Sequence, residues 1–339
     1  MRPRQSFLRF IRNHLMVQSV LMRIIIILLT GIFLISCQAA NWNGGTDGHP
    51  LPLTLKTESI SHQGRQRSFH YFAPESGRHC EGIVLFFHGH GDSGRAFLNA
   101  IDPEGGLSRA YRWLFVYPEG IKGSWNSGHG FGFAHEQRLD DVGAVAEIVR
   151  TLRRKYNIAG HLFLVGYSNG ACFAYRLAVD LETRFAEKIS AFAPLSGTIG
   201  GMPKNENVLV VNEPRQVHAA SVFAVHGYLD QTIPLDRPGR DMMKRWDVPF
   251  AISTGYWIKY IGNESQTVSR QTVDDAKIEK TFRGLARRQI VTRIYKHLGH
   301  VLPIPELLPD VLEFFLNQTT KCEFEFGGRL RFCLRSEQG

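Results

Sequence analysis

Two histidines and an aspartate come close together in the stretch IVLFFHGHGDSG, residues 83–94. An apolar run ends at His88, and His88, His90 and Asp92 then alternate with glycines. This H-x-H-x-D spacing is one that can hold a zinc ion. The same letters also describe a strand followed by a Gly-rich turn, whose backbone N–H groups can bind a developing oxyanion. The stretch alone leaves both a metal site and an acyl-transfer site open.

A serine between two glycines lies farther along the chain, where a predicted strand meets a predicted helix. Residues 166–170 read G-Y-S-N-G, directly after the apolar run LFLV and directly before an amphipathic segment. G-x-S-x-G in that context is the nucleophile elbow, in which glycines permit the strained turn that exposes the serine. This motif predicts Ser168 as a nucleophile and an α/β-hydrolase fold.

A nucleophilic serine needs a general base, and the base needs an acid that orients it. In α/β-hydrolases these residues follow the serine in the order Asp, His, each just after a later strand. Asp230 follows the apolar run SVFAVHG, and His300 lies in the loop after the last apolar run. The alternatives are Asp236, where we expect a surface position, and His297, which is still near the end of a strand. We predict Asp230 and His300.

The serine motif decides between the two interpretations of the first stretch. Position 93 is Ser93 where the metallohydrolase pattern H-x-H-x-D-H has a histidine, and no later residues have ligand spacing. A nucleophile elbow needs two N–H donors, one from the residue after the serine and one from an earlier loop. We therefore predict the N–H groups of Asn169 and His90 as an oxyanion hole, with no metal and no other cofactor.

Short apolar runs predict the elements that must position these residues. They are nearly continuous, as expected of strands buried on both faces, and they cover 83–87, 113–118, 161–167, 189–197, 221–227 and 291–297. Helical patterns lie between several of them, for example over 142–156. This alternation predicts an α/β protein with a mostly parallel, doubly wound sheet.

The predicted catalytic domain covers residues 53–317. It opens with two alternating segments separated by SHQG, which predict an antiparallel hairpin. Residues 232–288 break the regular pattern and predict an insertion or cap near the active edge. No internal repeat is present.

The N-terminus explains most of the net charge of +9. Without the five arginines of residues 1–36, the chain has 35 basic and 31 acidic residues, a net charge of +4. That balance is ordinary for a globular domain and does not indicate a nucleic-acid-binding protein. The apolar run 24–35 has 12 residues, too short to span a bilayer but typical of a signal peptide. It precedes Leu34-Ile35-Ser36-Cys37, which resembles a bacterial lipobox. Either Met1 or Met22 is the start.

These residues predict export and a lipid anchor on Cys37, and residues 37–52 are polar and rich in Gly and Pro, as in a tether. The expected location is the periplasmic face of the outer membrane or the cell surface. Export permits disulfides. Cys322 and Cys333 flank a turn at Gly327-Gly328, and pairing from that turn places them opposite each other. We predict a disulfide-linked hairpin over 318–339, and buried thiols at Cys80 and Cys172.

Taken together, these motifs resemble the esterase/polyhydroxybutyrate-depolymerase family of α/β-hydrolases, which includes feruloyl and acetylxylan esterases. The resemblance runs from Phe69 to Pro305 and is carried by HGHGDSG, VYPEG (116–120), SWN (124–126), LDDVGAVAEIV (139–149), VGYSNGACFAYRLA (165–178), FAPLSG (192–197), VHGYLDQTIP (225–234), Trp257 and LGHVLP (298–303). It implies a triad of Ser168, Asp230 and His300, no metal, and hydrolysis of carboxylic esters.

The resemblance also leaves residues with two interpretations. Asp140 and Asp141 match the family's paired acid, and we favour a helix N-cap with a second acid stabilised by the helix dipole. Trp125 and Trp257 either line an aromatic substrate subsite or pack in the core. The histidine in HGHG departs from the small residues usual in the family, and we expect no separate polymer-binding domain.

The predicted substrates are small or oligomeric esters of the feruloyl, acetyl or short hydroxyalkanoate type. A serine peptidase on the same fold and a non-catalytic glycan-binding lipoprotein are the alternatives. The peptidase would also cleave amides, and the glycan-binding protein would leave simple esters intact.

Overall fold

The computed structural model describes residues 53–74, 80–200, 202–205, 208–210, 220–235, 248–263 and 265–319. The predicted signal peptide, Cys37 and the tether lie outside these residues, and so does Asp236. Residues 318 and 319 of the predicted C-terminal hairpin end a helix, and the rest of that segment, with Cys322 and Cys333, lies outside the described residues.

The strands follow one another along the chain as β1 (Leu53–His62), β2 (Arg65–Pro74), β3 (Gly82–Phe87), β4 (Trp113–Pro118), β5 (His161–Tyr167), β6 (Ala191–Leu195), β7 (Met202–Asn205), β8 (Val208–Val210), β9 (Ser221–Gly227), β10 (Val268–Val273), β11 (Lys277–Arg283) and β12 (Gln289–Tyr295). Ten of them form one sheet in the order β1-β2-β4-β3-β5-β6-β9-β12-β11-β10, and β7 pairs with β8 separately. The strands from β4 to β12 in this order are parallel. These are the six predicted apolar runs.

The helices are α1 (Gly94–Ile101), α2 (Gly106–Ala110), α3 (Phe133–Glu136), α4 (Asp141–Tyr156), α5 (Asn169–Phe185), α6 (Phe250–Tyr260) and α7 (Ile304–Thr319). Short 3₁₀ turns lie at Ile121–Gly123 and Leu285–Arg287. None of the helices in the described part of the chain has the length and apolar character needed to cross a bilayer.

Side chains of the parallel strands alternate between two cores, because successive residues of a strand point to opposite faces. Ile83, Leu85 and Phe87 of β3 pack with residues of α4, α5 and α6. Val84 and Phe86 pack in the other core, with residues of α1 and α7. Helices therefore cover both faces of the sheet, which is the predicted doubly wound arrangement. Cys80 and Cys172 are buried, as predicted.

Antiparallel strands extend the sheet at both edges. β1 and β2 form the predicted N-terminal hairpin, closed by Gln63 and Gly64, which both have positive φ and match a type I′ turn. At the other edge, β11 pairs with β12 and β10 pairs with β11. The described residues of the predicted cap, 232–288, thus supply helix α6 and two strands of the central sheet.

Candidate active site

The sheet brings three predicted residues to one edge. Ser168, Asp230 and His300 follow the carboxyl ends of β5, β9 and β12, and carboxyl ends of parallel strands meet at the same edge of a sheet. His300 Nε2 lies 2.8 Å from Ser168 Oγ. His300 Nδ1 lies 2.8 Å from Asp230 Oδ2. The three side chains therefore form a continuous hydrogen-bonded series.

Ser168 occupies a strained turn between β5 and α5. Its φ of 52° and ψ of −118° lie outside the helical and strand regions, a conformation that costs on the order of 1–3 kcal/mol. The turn is held from both sides, because the Ser168 N–H donates to Leu195 O at 2.9 Å and Ser168 O accepts the Cys172 N–H at 3.0 Å. The surrounding structure thus stabilises a conformation that this residue would not adopt alone.

Gly166 and Gly170 are required for space rather than for positive φ, which differs from the expectation drawn from the motif. A Cβ on Gly170 would lie 2.1 Å from Phe87 O, and one on Gly166 would lie 2.2 Å from Gly170 O. The positive φ belongs to Ser168 itself. The glycines therefore allow α5 to start directly against β3 and β5.

Asp230 is buried and fully engaged. Its Oδ1 accepts the N–H groups of Thr232 at 2.8 Å and Ile233 at 2.9 Å, while Oδ2 faces His300. Burial alone would raise the pKa of Asp230, but the hydrogen bond from His300 and its charge outweigh burial, so that the pKa is lowered. An ionised carboxylate favours the tautomer with the proton on His300 Nδ1, which leaves Nε2 to accept a hydrogen bond from the Ser168 hydroxyl.

The backbone of His300 is held as well. The Tyr167 hydroxyl donates to His300 O at 3.3 Å, and the two rings lie 5.6 Å apart. His297, the alternative base, is exposed, and its Nε2 lies 3.2 Å from Asp275 O. The structure therefore brings His300 to the serine, and it places His297 elsewhere.

His88 anchors the loop that follows β3. The ring is buried, Nδ1 donates to Gly89 O at 2.8 Å, and Nε2 accepts the Gly120 N–H at 3.0 Å. Burial lowers the pKa of this ring. His90 and Asp92 are exposed, and the part of the chain that the structure describes contains no cluster of three or more His, Cys, Asp or Glu that could hold a metal. The H-x-H-x-D residues thus have separate environments.

The same loop borders the serine. A Cβ on Gly89 would lie 3.5 Å from Ser168 Cβ. Within the described residues, the N–H groups of His90 and Asn169 have no hydrogen-bond acceptor. The two predicted oxyanion donors, one on the loop after β3 and one on the first residue of α5, are therefore available to a ligand.

The Asn169 side chain has a role that the motif does not indicate. It is buried, and its Oδ1 accepts the Trp125 N–H at 2.8 Å. Its Nδ2 lies 3.2 Å from Trp125 O and 3.1 Å from Ser127 Oγ. The residue after Ser168 therefore fixes the neighbouring loop through a contact between positions 44 residues apart, which no local pattern could predict.

Trp125 and Trp257 lie in the core, which favours the packing interpretation over a substrate subsite. Their exposed fractions are 0% and 1%. Trp125 stacks on Phe173 at 5.1 Å, and Trp257 packs edge-to-face on Phe192 at 5.1 Å. Trp125 also donates from Nε1 to His88 O at 3.1 Å, which ties the two loops of the site together.

The paired acids Asp140 and Asp141 lie at the start of α4 and have different partners. Asp140 is the N-cap of α4, since its Oδ1 accepts the Gly143 N–H at 3.1 Å, which confirms that prediction. Asp141 does more than favour the helix dipole: it is buried, lies 2.6 Å from Arg67, and accepts the Asn126 N–H at 2.7 Å. Burial raises the pKa of Asp141, and the charge of Arg67 opposes that rise.

A known structure shares this architecture. An acetyl xylan esterase from Aspergillus awamori superposes with a TM-score of 0.57 at 15% identity, covering 77% of this chain and 98% of its own. The chain has the α/β-hydrolase fold. A cold-adapted esterase from an Arctic intertidal metagenomic library has a TM-score of 0.47 at 14% identity, covering 82% and 99% of the two chains. Est1E from Butyrivibrio proteoclasticus has a TM-score of 0.44 at 13% identity, covering 77% and 98%.

The fold prediction is thereby confirmed. Neither a protein-family model nor a curated protein matches the sequence. The resemblance to the esterase/polyhydroxybutyrate-depolymerase family stays a prediction, as do the catalytic roles of the residues described above.

Proposed function

We propose that this α/β-hydrolase is a serine carboxylic-ester hydrolase. The observation that carries the proposal is the series Ser168–His300–Asp230, with both contacts at 2.8 Å and the carboxylate side chain fully buried. That arrangement supplies a nucleophile, a base and a group that orients the base.

The reaction proceeds in two halves. Ser168 Oγ attacks the ester carbonyl carbon while its proton passes to His300 Nε2, and Asp230 stabilises the resulting imidazolium. The N–H groups of His90 and Asn169 bind the oxyanion. Collapse breaks the bond to the alcohol, which leaves with the proton from His300. Water then attacks the acyl-enzyme in the same way, which releases the acid and restores Ser168.

The proposed substrates are feruloyl, acetyl or short hydroxyalkanoate esters. The sequence motifs support these acyl groups, and one similar structure is described as an acetyl xylan esterase. Large apolar side chains on the loops that carry Asp230 and His300 favour substrates with an apolar part: Tyr228, Leu229 and Val301 have exposed fractions of 60%, 54% and 76%.

A panel of esters tests the proposal, with Ser168→Ala as the matched control. The panel contains p-nitrophenyl acetate, methyl ferulate, acetylated xylan and hydroxybutyrate oligomers, with one anilide to detect amide hydrolysis. We expect at least one ester to be cleaved by the wild type, with activity reduced on the order of 10³-fold or more in the variant. Equal rates for the two proteins would contradict a serine mechanism, and a chelator should change neither rate.

We also propose that the protein is exported and anchored to a membrane through lipid on Cys37. The support is the apolar run of 12 residues followed directly by Leu34-Ile35-Ser36-Cys37. Acyl chains contribute about 0.8 kcal/mol for each buried CH₂ group, enough for a stable anchor when more than one chain is attached.

A further inference from the structure

A second histidine contacts the carboxylate of the proposed triad. His226 lies near the end of β9, its side chain is completely buried, and its Nε2 is 3.3 Å from Asp230 Oδ2. That is the same oxygen that faces His300 Nδ1 at 2.8 Å. Two imidazole rings therefore converge on one carboxylate oxygen, and only one of them belongs to the proposed triad.

The hydrogen bonds of His226 define its tautomer. Nε2 lies 2.7 Å from Ile233 O, and a carbonyl oxygen can only accept a hydrogen bond. Nε2 therefore carries the proton, which is shared between Ile233 O and, more weakly, Asp230 Oδ2. The contact to the carboxylate is a donated N–H rather than a repulsion between lone pairs.

The other ring nitrogen favours a neutral imidazole. Nδ1 of His226 is buried and has no hydrogen-bond partner among the described residues, and the Phe250 ring lies 4.8 Å from the His226 ring. A second proton on Nδ1 would be buried without an acceptor, which is costly. Burial accordingly lowers the pKa of His226. The ring presents a dipole to Asp230 without adding a full charge.

His226 also closes a ring of contacts around the carboxylate. Asp230 Oδ1 accepts the Ile233 N–H at 2.9 Å, and Ile233 O accepts the N–H of His226, whose Nε2 in turn approaches Oδ2. Both carboxylate oxygens are thereby fixed: Oδ1 faces backbone N–H groups, and Oδ2 faces the two imidazoles. Rotation of the carboxylate would break contacts on both sides.

We propose that His226 is a positioning residue that fixes the Asp230 carboxylate so that Oδ2 faces His300. The inference rests on the proposed ester hydrolysis and deepens it. His226 acts through Asp230 and does not touch the substrate.

A double-mutant cycle tests the inference in the full chain. His226→Phe removes the N–H and keeps a planar ring, His226→Gln keeps an N–H at the position of Nε2, and both are made with and without Asp230→Asn. The matched control is His161→Phe, because His161 is half-buried at the opposite end of β5 from Ser168. The readouts are kcat and KM for p-nitrophenyl acetate and the rate at which a fluorophosphonate labels Ser168.

We expect His226→Phe to lower kcat and the labelling rate about 10- to 100-fold with little change in KM, because a misplaced base reduces turnover. His226→Gln should recover most of this loss, and His161→Phe should have no effect. With Asp230→Asn present, His226→Phe should cause less than about a threefold further loss, since residues that act as a unit are not additive.

Two outcomes would overturn the inference: equal losses in the Phe and Gln variants, or the same loss with Asp230→Asn as without it. A measurement on the unmutated protein covers the case in which a variant does not fold. Nitrogen NMR of ¹⁵N-histidine-labelled protein should show His226 as the neutral Nε2–H tautomer, and an Nδ1–H tautomer would contradict the proposal. If Ser168 is not labelled in the wild type, the proposed function itself has failed, whatever the tautomer of His226.

Discussion

The Asn169 side chain binds both backbone polar groups of Trp125. Its Oδ1 accepts the Trp125 N–H at 2.8 Å, and its Nδ2 donates to Trp125 O at 3.2 Å. The same residue offers its own N–H as a proposed oxyanion donor. Its side chain and backbone therefore have separate roles, one in fixing the loop at 124–127 and one in the proposed reaction. Substitution of the side chain can separate them, because every amino acid except proline keeps the N–H.

Asn169→Ala should lower kcat for ester hydrolysis about 10- to 100-fold, because the loop loses its anchor and the first residue of α5 loses its support. Ser127→Ala is the matched control, since it removes only the 3.1 Å contact to Asn169 Nδ2. We expect it to retain activity within about threefold of the wild type. Steady-state kinetics on one ester and circular dichroism would test both variants, and full activity of Asn169→Ala would show that the loop needs no such anchor.

The two histidines after β12 should differ sharply. His300→Ala should lower turnover on the order of 10³-fold or more, because it removes the proposed base at 2.8 Å from Ser168 Oγ. His297→Ala should change turnover by less than about threefold, since its ring is exposed and its Nε2 lies 3.2 Å from Asp275 O, away from Ser168. Turnover numbers for the two variants decide the matter, and the reverse ranking would show that the base is assigned to the wrong residue.

Asp102 should make stability depend on pH. Burial raises the pKa of this carboxyl to about 6 from an ordinary value of 3.8. The native state therefore binds more protons than the unfolded state between about pH 4 and pH 6, and the free energy of unfolding falls as the pH rises through that window. Above it, the native state contains a buried charge.

Asp102→Asn removes this effect and keeps an acceptor for the Leu107 N–H, which lies 3.0 Å from Asp102 Oδ1. We expect the stability advantage of the variant over the wild type to be larger at pH 7.5 than at pH 4.5, by on the order of 1–2 kcal/mol, because most of the titration window lies between these two values. Urea unfolding at the two pH values provides the measurement. A difference that is the same at both would assign the effect to something other than ionisation.

Cys37→Ser should prevent lipid processing. Full-length protein expressed in a Gram-negative host should fractionate with membranes, whereas a chain that begins at Asn41 should be soluble and equally active. Membrane fractionation and the mass of the mature N-terminus are the measurements. If Cys37→Ser is processed and retained like the wild type, the proposed lipid anchor is wrong.

Much of the fold is predictable because buried parallel strands leave a simple pattern in the sequence. The apolar runs at 161–167 and 221–227 coincide with β5 and β9, and the helix predicted over 142–156 begins one residue earlier, at Asp141. Strands β10 and β11 fall within the segment predicted as a cap. VSRQTV of β10, at the edge of the sheet, carries polar side chains on both faces, and KIEKTFR of β11 contains no continuous apolar run. An edge strand leaves no apolar run for sequence analysis to detect.

The site is predictable where chemistry restricts residue types and not where packing decides. A serine between glycines, followed by an aspartate and a histidine after later strands, predicts that the three side chains meet at one edge of the sheet. Trp125 and Trp257 allow no such prediction, because an indole in the core and one in a pocket look alike in a sequence. The Asn169 side chain contacts a residue 44 positions away, and His226 contacts Asp230 only because of the way the chain turns after β9. Both contacts exist only in the folded chain.

The separation of Ser168 and His300 by 132 positions has a consequence for folding. The strand that precedes His300, β12, is the last parallel strand along the chain, and its pairing with β9 is a non-local contact of the kind that forms slowly. Helices α4 and α5 depend on local contacts and can form early. After dilution from denaturant, the helical circular dichroism signal should therefore return before hydrolytic activity does. The appearance of activity would then report that β12 has paired with β9.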